Sequence, residues 1–423
     1  MTHSVNPDTL VRMSWISRLA ALTVCFLSVA SAENWPGFRG PTRQGVSSEV
    51  ELPLHWARDN NVVWKTPIPG SAWSSPIVWG NRIFLTTAVD DGSSCHVLSI
   101  DARTGRILWD THVFDQPTLM KRRQNSYASP TPVTDGQSVF AVFADGSIVA
   151  LDFDGNVLWR NREFDFFSEH GLGASPILYE NLLIMAFDPS SRTGRAEKIG
   201  WKVPWEGAAL WALEKETGEL VWEGKRGPSR LAHVTPNLMQ VDGKMQLVSA
   251  AGDVIQGFNP DTGERLWSVY AQGEGVVPSI VIGGGLAYSI SGFEATAIRA
   301  VAPGGTVTWE QTRSASHIPS MIYDAGLLYN IHENGVATCM DARTGAVIWQ
   351  ERVGGTHWAS PVLADGRIYF LSEEGETTVI QTGREFKELA RNRLDEHTQA
   401  SMAVSNGRLY IRTENFVWAI GDK

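Results

Sequence analysis

Cysteine is nearly absent from this chain: three in 423 residues, at Cys25, Cys95 and Cys339. None is adjacent to another and none forms a Cys-x-x-Cys pair, which excludes a zinc ribbon, a redox dithiol and a disulfide-stapled scaffold. Charge is scarce too, at 19% of residues with a formal net charge of −10, which argues against a nucleic-acid partner, since that would need a basic face. The longest apolar run, Leu19–Ala30, is too short to cross a bilayer, and no transmembrane span is expected. No Gly-x-Ser-x-Gly elbow, His-Glu-x-x-His helix or phosphate-cradling glycine loop occurs, and hence no catalytic set is legible.

The apolar run does fit another use. Arg12 and Arg18 precede it, and Ala30-Ser31-Ala32 follows as a small-residue cleavage site, so residues 1–32 are read as a secretory signal peptide. The expected location is therefore periplasmic or extracellular. Lipidation at Cys25 is not expected, because Val24 is bulkier than the small residue that normally precedes a lipidated cysteine. Past the signal only Cys95 and Cys339 remain, expected as small core residues without a disulfide.

What the chain has in quantity is tryptophan, 17 residues, and glycine, 40. Many fall into one recurring phrase. Asp101-Ala-Arg-Thr-Gly105 leads to Trp109, and Asp341-Ala-Arg-Thr-Gly345 leads to Trp349. Looser copies end at Trp159, Trp222, Trp267 and Trp309, with a Gly four residues before each Trp. By difference in residue number, successive copies lie 50, 63, 45, 42 and 40 residues apart. A repeating unit of this length and strand content marks a propeller blade.

Each phrase reads as strand, tight turn, strand, and ahead of it lies a second hairpin such as Ser75-Pro-Ile-Val-Trp-Gly-Asn81 into Arg82-Ile-Phe-Leu85. Two hairpins make a four-stranded blade, with the Trp as a packing peg between neighbours. Inner strands are expected to begin at Ser75, Ser129, Ser175, Thr235, Ser279, Ser320, Ser360 and Ser401, most with a Pro alongside, which counts eight blades. The last start opens only three strands (Met402–Val404, Arg408–Arg412 and Phe416–Ile420), and the fourth is expected from Asn61-Val-Val-Trp64 at the other end. The expectation is an all-β chain: an N-terminal extension over 33–60, then an eight-bladed β-propeller over 61–423 of four-stranded antiparallel blades. The ring is closed by the N-terminal strand joining the last blade, which removes a sheet edge. In blade seven the peg position falls on Lys387, so Phe386 or Leu389 is expected to substitute.

The phrase Ala-x-Asp-x-x-Thr-Gly-x-x-x-Trp resembles the tryptophan-docking motif of PQQ-like, quinoprotein-type propeller repeats. The opening Trp35-Pro-Gly-Phe-Arg39-Gly-Pro-Thr, with Trp64-Lys-Thr-Pro-Ile-Pro-Gly70 and Ser74-Ser75-Pro76, is similar to secreted bacterial members related to the outer-membrane assembly protein BamB. The resemblance implies the fold strongly and the activity weakly, since one superfold hosts unrelated functions. Family enzymes usually carry an adjacent-cysteine disulfide against PQQ and an acidic calcium site. No adjacent cysteines occur here, so no cofactor is expected, with PQQ and calcium kept as the alternative.

Where the repeats break, two insertions stand out. Thr111–Ser126 leads through Arg122 and Arg123 into Tyr127, and Asp188–Gly207 carries Arg192, Arg195, Lys198, Trp201, Lys202 and Trp205. Basic loops bearing aromatics can hold an anionic or sugar-like ligand. Five histidines, His170, His233, His317, His357 and His397, precede inner strands, with Trp358 beside one of them, and can converge on the channel mouth. No metal site and no catalytic residue is assigned. The chain is therefore expected to act as an exported, monomeric, non-catalytic scaffold for an envelope protein or glycan ligand. The alternatives are a PQQ- and calcium-dependent oxidoreductase, or a carbohydrate-processing propeller.

Overall fold

The recurring phrase explains itself once its atoms are placed. Asp101 Oδ1 accepts the backbone N–H groups of Arg103 and Thr104 (3.0 and 2.8 Å) and the Thr104 hydroxyl (3.0 Å), and Asp341 does the same with Arg343 and Thr344. This carboxylate turn delivers the chain to a glycine in the left-handed region, φ 76° at Gly105 and 72° at Gly345. With no Cβ on that glycine, the indole of the preceding blade lies flat on it. A Cβ would stand 2.6 Å from Trp64 at Gly105, 2.5 Å from Trp159 at Gly218 and 2.6 Å from Trp309 at Gly345. The indole N–H then reaches a carbonyl of the same turn: Trp64 to Ala102 (3.0 Å), Trp109 to Phe153 (2.8 Å), Trp159 to Lys215 (2.9 Å) and Trp309 to Ala342 (3.0 Å). Each Asp-turn is thus the socket for its neighbour's peg.

The protein is seen in a computed structural model that describes residue 1 and residues 33–118, 125–164, 166–193 and 197–421. Residues 2–32 of the segment read as the signal peptide (1–32), and Arg122, Arg123 and Arg195, lie outside the described residues. The strands form eight four-stranded antiparallel sheets. Blade one runs Ile77–Trp79, Arg82–Val89, Ser94–Asp101, Ile107–Asp115, and six more repeat that order. Blade eight joins Ala403–Ser405, Arg408–Arg412 and Phe416–Ile420 to Val62–Pro67, with Trp64 opposite Ala419. The chain's two ends therefore close the ring as expected. Among the described residues no helix is long and apolar enough to cross a membrane. Cys95 and Cys339 are buried and free in blades one and six, and burial pushes both thiols up, Cys339 to about 11.

Two expectations change. The inner-strand position of blade two is Thr131 rather than Ser129, because Thr131 occupies the ring of hydroxyls described below. The missing peg of blade seven is not supplied by Phe386, and Ala390 rather than Leu389 stands opposite Val379, where Trp349 stands opposite Cys339 in blade six. Phe386 packs edge-on against Trp349, the peg of blade six, at 5.3 Å. Within blades five, six and eight a tyrosine backs each peg, as Tyr288–Trp309, Tyr329–Trp349 and Tyr410–Trp64. In blade seven the corresponding Tyr369 is backed by Trp56, stacked at 6.3 Å and 4% exposed. The extension is held there by Asn392, whose amide accepts from Trp56 N–H (2.9 Å) and donates to the Leu54 carbonyl (3.1 Å). A residue from outside the repeats thus fills the gap one repeat left.

Candidate functional site

The axis of the ring is built from the inner strands. The N–H of Ser75 donates to Thr131 Oγ1 (2.9 Å), that of Thr131 to Ser175 Oγ (3.0 Å), and that of Ser175 to Thr235 Oγ1 (3.0 Å). Ser279, Ser320 and Ser360 pass the chain on to Ser401 in the same way. These hydroxyls bind one blade to the next at six of the eight junctions, one to four and five to eight, satisfying backbone donors that have no ladder partner on the inner edge. This is why a Ser or Thr recurs at each start.

The N-terminal extension closes one end. Trp35 exchanges backbone bonds with Val78 in blade one, Pro36 O accepts from Thr134 in blade two, and Arg43 reaches Asn237 in blade four. Gln44 takes the N–H of Ile282 in blade five, Arg39 donates to Met321 O in blade six, Gly45 and Ser47 bracket Leu363 in blade seven, and Glu33 O accepts from Ser405 in blade eight. The strap therefore crosses the inner strands of seven blades. Phe38 turns into the channel, where the remaining space of about 110 Å³ is lined by the ring hydroxyls.

Above the ring the channel widens into a cup of about 580 Å³. Its wall follows one rule: the residue two before each ring hydroxyl faces in. Blades one to four contribute Trp73, Ser129, Gly173 and His233, and blades five to eight contribute Val277, Ile318, Trp358 and Gln399. Strand alternation explains the rule, since positions two apart share a face. Longer loops add Asn125, His170, Trp201 and Lys202, with Glu274, Phe293 and Glu294.

The candidate residues separate accordingly. His170, His233, Trp358, Trp201 and Lys202 line the cup. His170 stands edge-on to His233 at 5.8 Å and to Trp201 at 5.6 Å. Gly173 makes room for His233, whose Nδ1 would lie 3.1 Å from a Cβ there. Burial, with His170 beside it, pushes the His233 imidazole down to about 3, so it is neutral at physiological pH. His357 does not take part: it is 1% exposed and its ring nitrogens lie 3.1 and 2.8 Å from the Leu371 and Gly354 carbonyls. His397 packs edge-on behind Trp73 at 5.2 Å, and His317 stacks behind Phe293 at 4.5 Å. Trp205 folds its own loop, donating to Pro189 O (3.1 Å). Tyr127 packs on Gly92 in a separate surface groove. Trp73, Phe293, Gln399, Glu274 and Glu294 were missed; for Trp73 and Gln399 the signal was present, two residues before Ser75 and Ser401.

The rim charges are paired with one another. Lys202 pairs with Glu274 and lies 3.1 Å from Glu294, and Arg230 lies 2.6 Å from Asp253 and 2.9 Å from Glu294. Hydrogen bonds to Glu274 hold the Lys202 ammonium above its usual range, and those from Arg230 and Lys202 hold Glu294 below its own. Asp253 and Glu294 both adopt left-handed φ, 74° and 80°, a strain that this network supports. Beside the rim, one cluster among the described residues can hold a metal: His317, His332 and Glu333, with donor atoms all within 4.8 Å.

No protein of curated function matches the sequence. The structure is similar to a europium-containing methanol dehydrogenase, with a TM-score of 0.68, 12% identity and 89% of each chain covered. It is similar to BamB from Moraxella catarrhalis at TM-score 0.60 and 14% identity, covering 86% of this chain and 97% of that one. It also resembles the quinohemoprotein alcohol dehydrogenase of Comamonas testosteroni at TM-score 0.64 and 11% identity, over 92% and 81%. Identities this low speak to the fold alone. The family model for outer membrane protein assembly factor BamB matches residues 48–192, 203–292 and 294–420. With most of the chain matched and the docking turns seated as that repeat requires, the protein belongs to the BamB family of PQQ-like β-propellers.

Proposed function

We propose that this chain is an exported, non-catalytic propeller that binds an envelope ligand in its axial cup, and that the ligand is glycan-like. The wall of the cup carries the reading. Trp73, Trp201, Phe293 and Trp358 offer flat apolar faces, and Asn125, Ser129, His233 and Gln399 offer neutral hydrogen-bonding groups between them. A pocket of this composition suits a molecule with an apolar face and a hydroxyl-bearing edge. The paired rim charges favour a neutral ligand over an anionic one, because Lys202 already serves Glu274 and Glu294.

The same residues do not fit PQQ. That quinone is a tricarboxylate, and the cup presents two carboxylates against one committed lysine. The adjacent-cysteine disulfide is missing as well, with Cys95 and Cys339 in separate blades. A second reading, a protein partner, is favoured by the apolar residues Leu158, Leu220, Val221, Leu266, Val307 and Val347, which stand exposed on outermost strands.

Intrinsic tryptophan fluorescence tests the first reading. The mature protein is titrated with neutral oligosaccharides of chitin and starch type, and separately with PQQ with and without calcium. A saturable change with an oligosaccharide, weakened at least about tenfold by Trp358→Ala, is expected; tenfold corresponds to about 1.4 kcal/mol. Calcium-dependent saturable quenching by PQQ, with no response to sugars, would reverse the assignment. A protein partner would instead be lost on replacing Leu220 and Val221 by Lys and Thr.

A further inference from the structure

Two loops of blade six meet beside the cup. The turn His332-Glu333-Asn334-Gly335 joins the strands Leu327–Ile331 and Val336–Asp341. It is fixed by His332 N–H to Val336 O (2.9 Å), Gly335 N–H to His332 O (2.9 Å) and a left-handed Gly335 (φ 78°). The second loop, ahead of the inner strand of the same blade, carries His317. Glu333 joins the two: its Oε1 accepts the backbone N–H groups of His317 and Ile318, the latter at 2.7 Å. That anchoring turns Oε2 toward both imidazoles, 3.4 Å from His317 Nδ1 and 3.4 Å from His332 Nδ1. The two rings stand edge-on at 5.9 Å, and Phe293, a wall residue of the cup, stacks flat on His317 (4.5 Å, 6°).

We propose that His317, His332 and Glu333 form a binding site for a single zinc-type divalent cation at the rim of the cup. The donor set is two imidazoles and one carboxylate, the combination that borderline cations such as zinc prefer over calcium or magnesium, which take oxygen. Tetrahedral zinc with bonds of about 2.0–2.2 Å sets donors roughly 3.3 Å apart. The carboxylate already lies that close to each imidazole, so closing on an ion takes shifts of roughly an ångström. The ion displaces the Asn334 N–H contact to His332 Nδ1 (3.2 Å). All three side chains are partly exposed, at 29%, 33% and 19%, so the ion keeps at least one coordination position for water or a ligand group. The outer support is in place too: two backbone N–H groups orient the carboxylate and the Phe293 face orients one imidazole.

The test uses the full mature chain, stripped with a chelator and titrated with zinc chloride by calorimetry, with cobalt(II) as a visible-absorption probe. One equivalent per chain is expected, with a cobalt spectrum of four- or five-coordinate type. His332→Gln and Glu333→Gln should each weaken zinc by at least the ~10–100-fold that even an outer-shell partner is worth. His317→Gln/His332→Gln should abolish the cobalt spectrum. His332 is exposed enough for its substitution to leave the circular dichroism and metal-free melting temperature unchanged. No saturable one-equivalent binding by the unaltered chain, or equal binding by the double variant, overturns the site. Because no sugar is present in this titration, the metal site and the glycan reading fail separately.

Discussion

Replacing Trp56 decides whether the N-terminal extension is an integral part of the ring or is only draped over it. Trp56 is 4% exposed and stacked on Tyr369 at 6.3 Å. A buried tryptophan removes about 200 Å² from water, which at about 25 cal/mol/Å² is roughly 5 kcal/mol. Alanine retains a part of that and the cavity partly collapses, so Trp56→Ala should cost about 3–5 kcal/mol. With about 2.1 cal/mol/K per residue over roughly 390 residues, the melting temperature should fall by about 4–6 °C. Scanning calorimetry and urea unfolding measure both quantities. A second variant sharpens the argument. Trp56 Nε1 has no hydrogen-bond partner among the described residues, whereas Trp64 Nε1 donates to the Ala102 carbonyl at 3.0 Å. Trp56→Phe should therefore cost under about 1.5 kcal/mol, as a shape-conserving apolar swap does. Trp64→Phe should lose a further ~1 kcal/mol for the hydrogen bond. A Trp56→Ala loss below about 1 kcal/mol would refute the claim that the extension supplies blade seven's peg.

Other perturbations probe the turn, the buried pair and the cup. Gly218 has φ 76° and a Cβ there would stand 2.5 Å from Trp159, whereas Gly366 has φ 66° with open space around it. Gly366→Ala should cost only the ~1–2 kcal/mol of the left-handed backbone, and Gly218→Ala clearly more by urea titration; equal losses would show that the sockets are not filled. Arg226 and Asp188 are fully buried and paired at 2.5 and 3.0 Å, with burial pushing Asp188 up to about 6. Arg226→Met should cost about 3–5 kcal/mol by leaving a buried carboxylate alone, and adding Asp188→Leu should recover much of it; a double variant no better than the single would contradict this. His233 has its folded value depressed to about 3 from 6.5. The unfolded chain thus binds its proton first, and stability is full above 6.5 and lost as pH falls toward 3. Against His233→Gln, the unaltered protein should lose about 1.4 kcal/mol more per pH unit across that window; parallel pH profiles would place His233 in water.

The architecture was legible because it is written many times. Asp-x-x-Thr-Gly with its Trp four residues on is a local device, a carboxylate turn, a left-handed glycine and a peg, so each copy reports its own hairpin and the spacing reports the ring. Ring closure was legible for a related reason: three strands at one end and a lone Trp strand at the other leave one pairing that removes an edge. Tertiary structure decided what depends on residues far apart in sequence. That Trp56 replaces a peg some 330 positions later, or that the Glu33–Ser47 strap crosses seven blades, follows from packing and not from local pattern. The histidines make the same point at the site. His317 and His357 stand three residues before their ring hydroxyls, His397 four, and only His233 stands two, where strand alternation turns a side chain into the cup. His332 and Glu333 drew no notice in sequence, because a hairpin turn bearing two polar residues is ordinary until the fold sets it against His317. The sequence by itself determined the blades, their number and the way they lock. Only the closed ring determined which side chains face the axis, because that depends on how eight inner strands are set against one another around it.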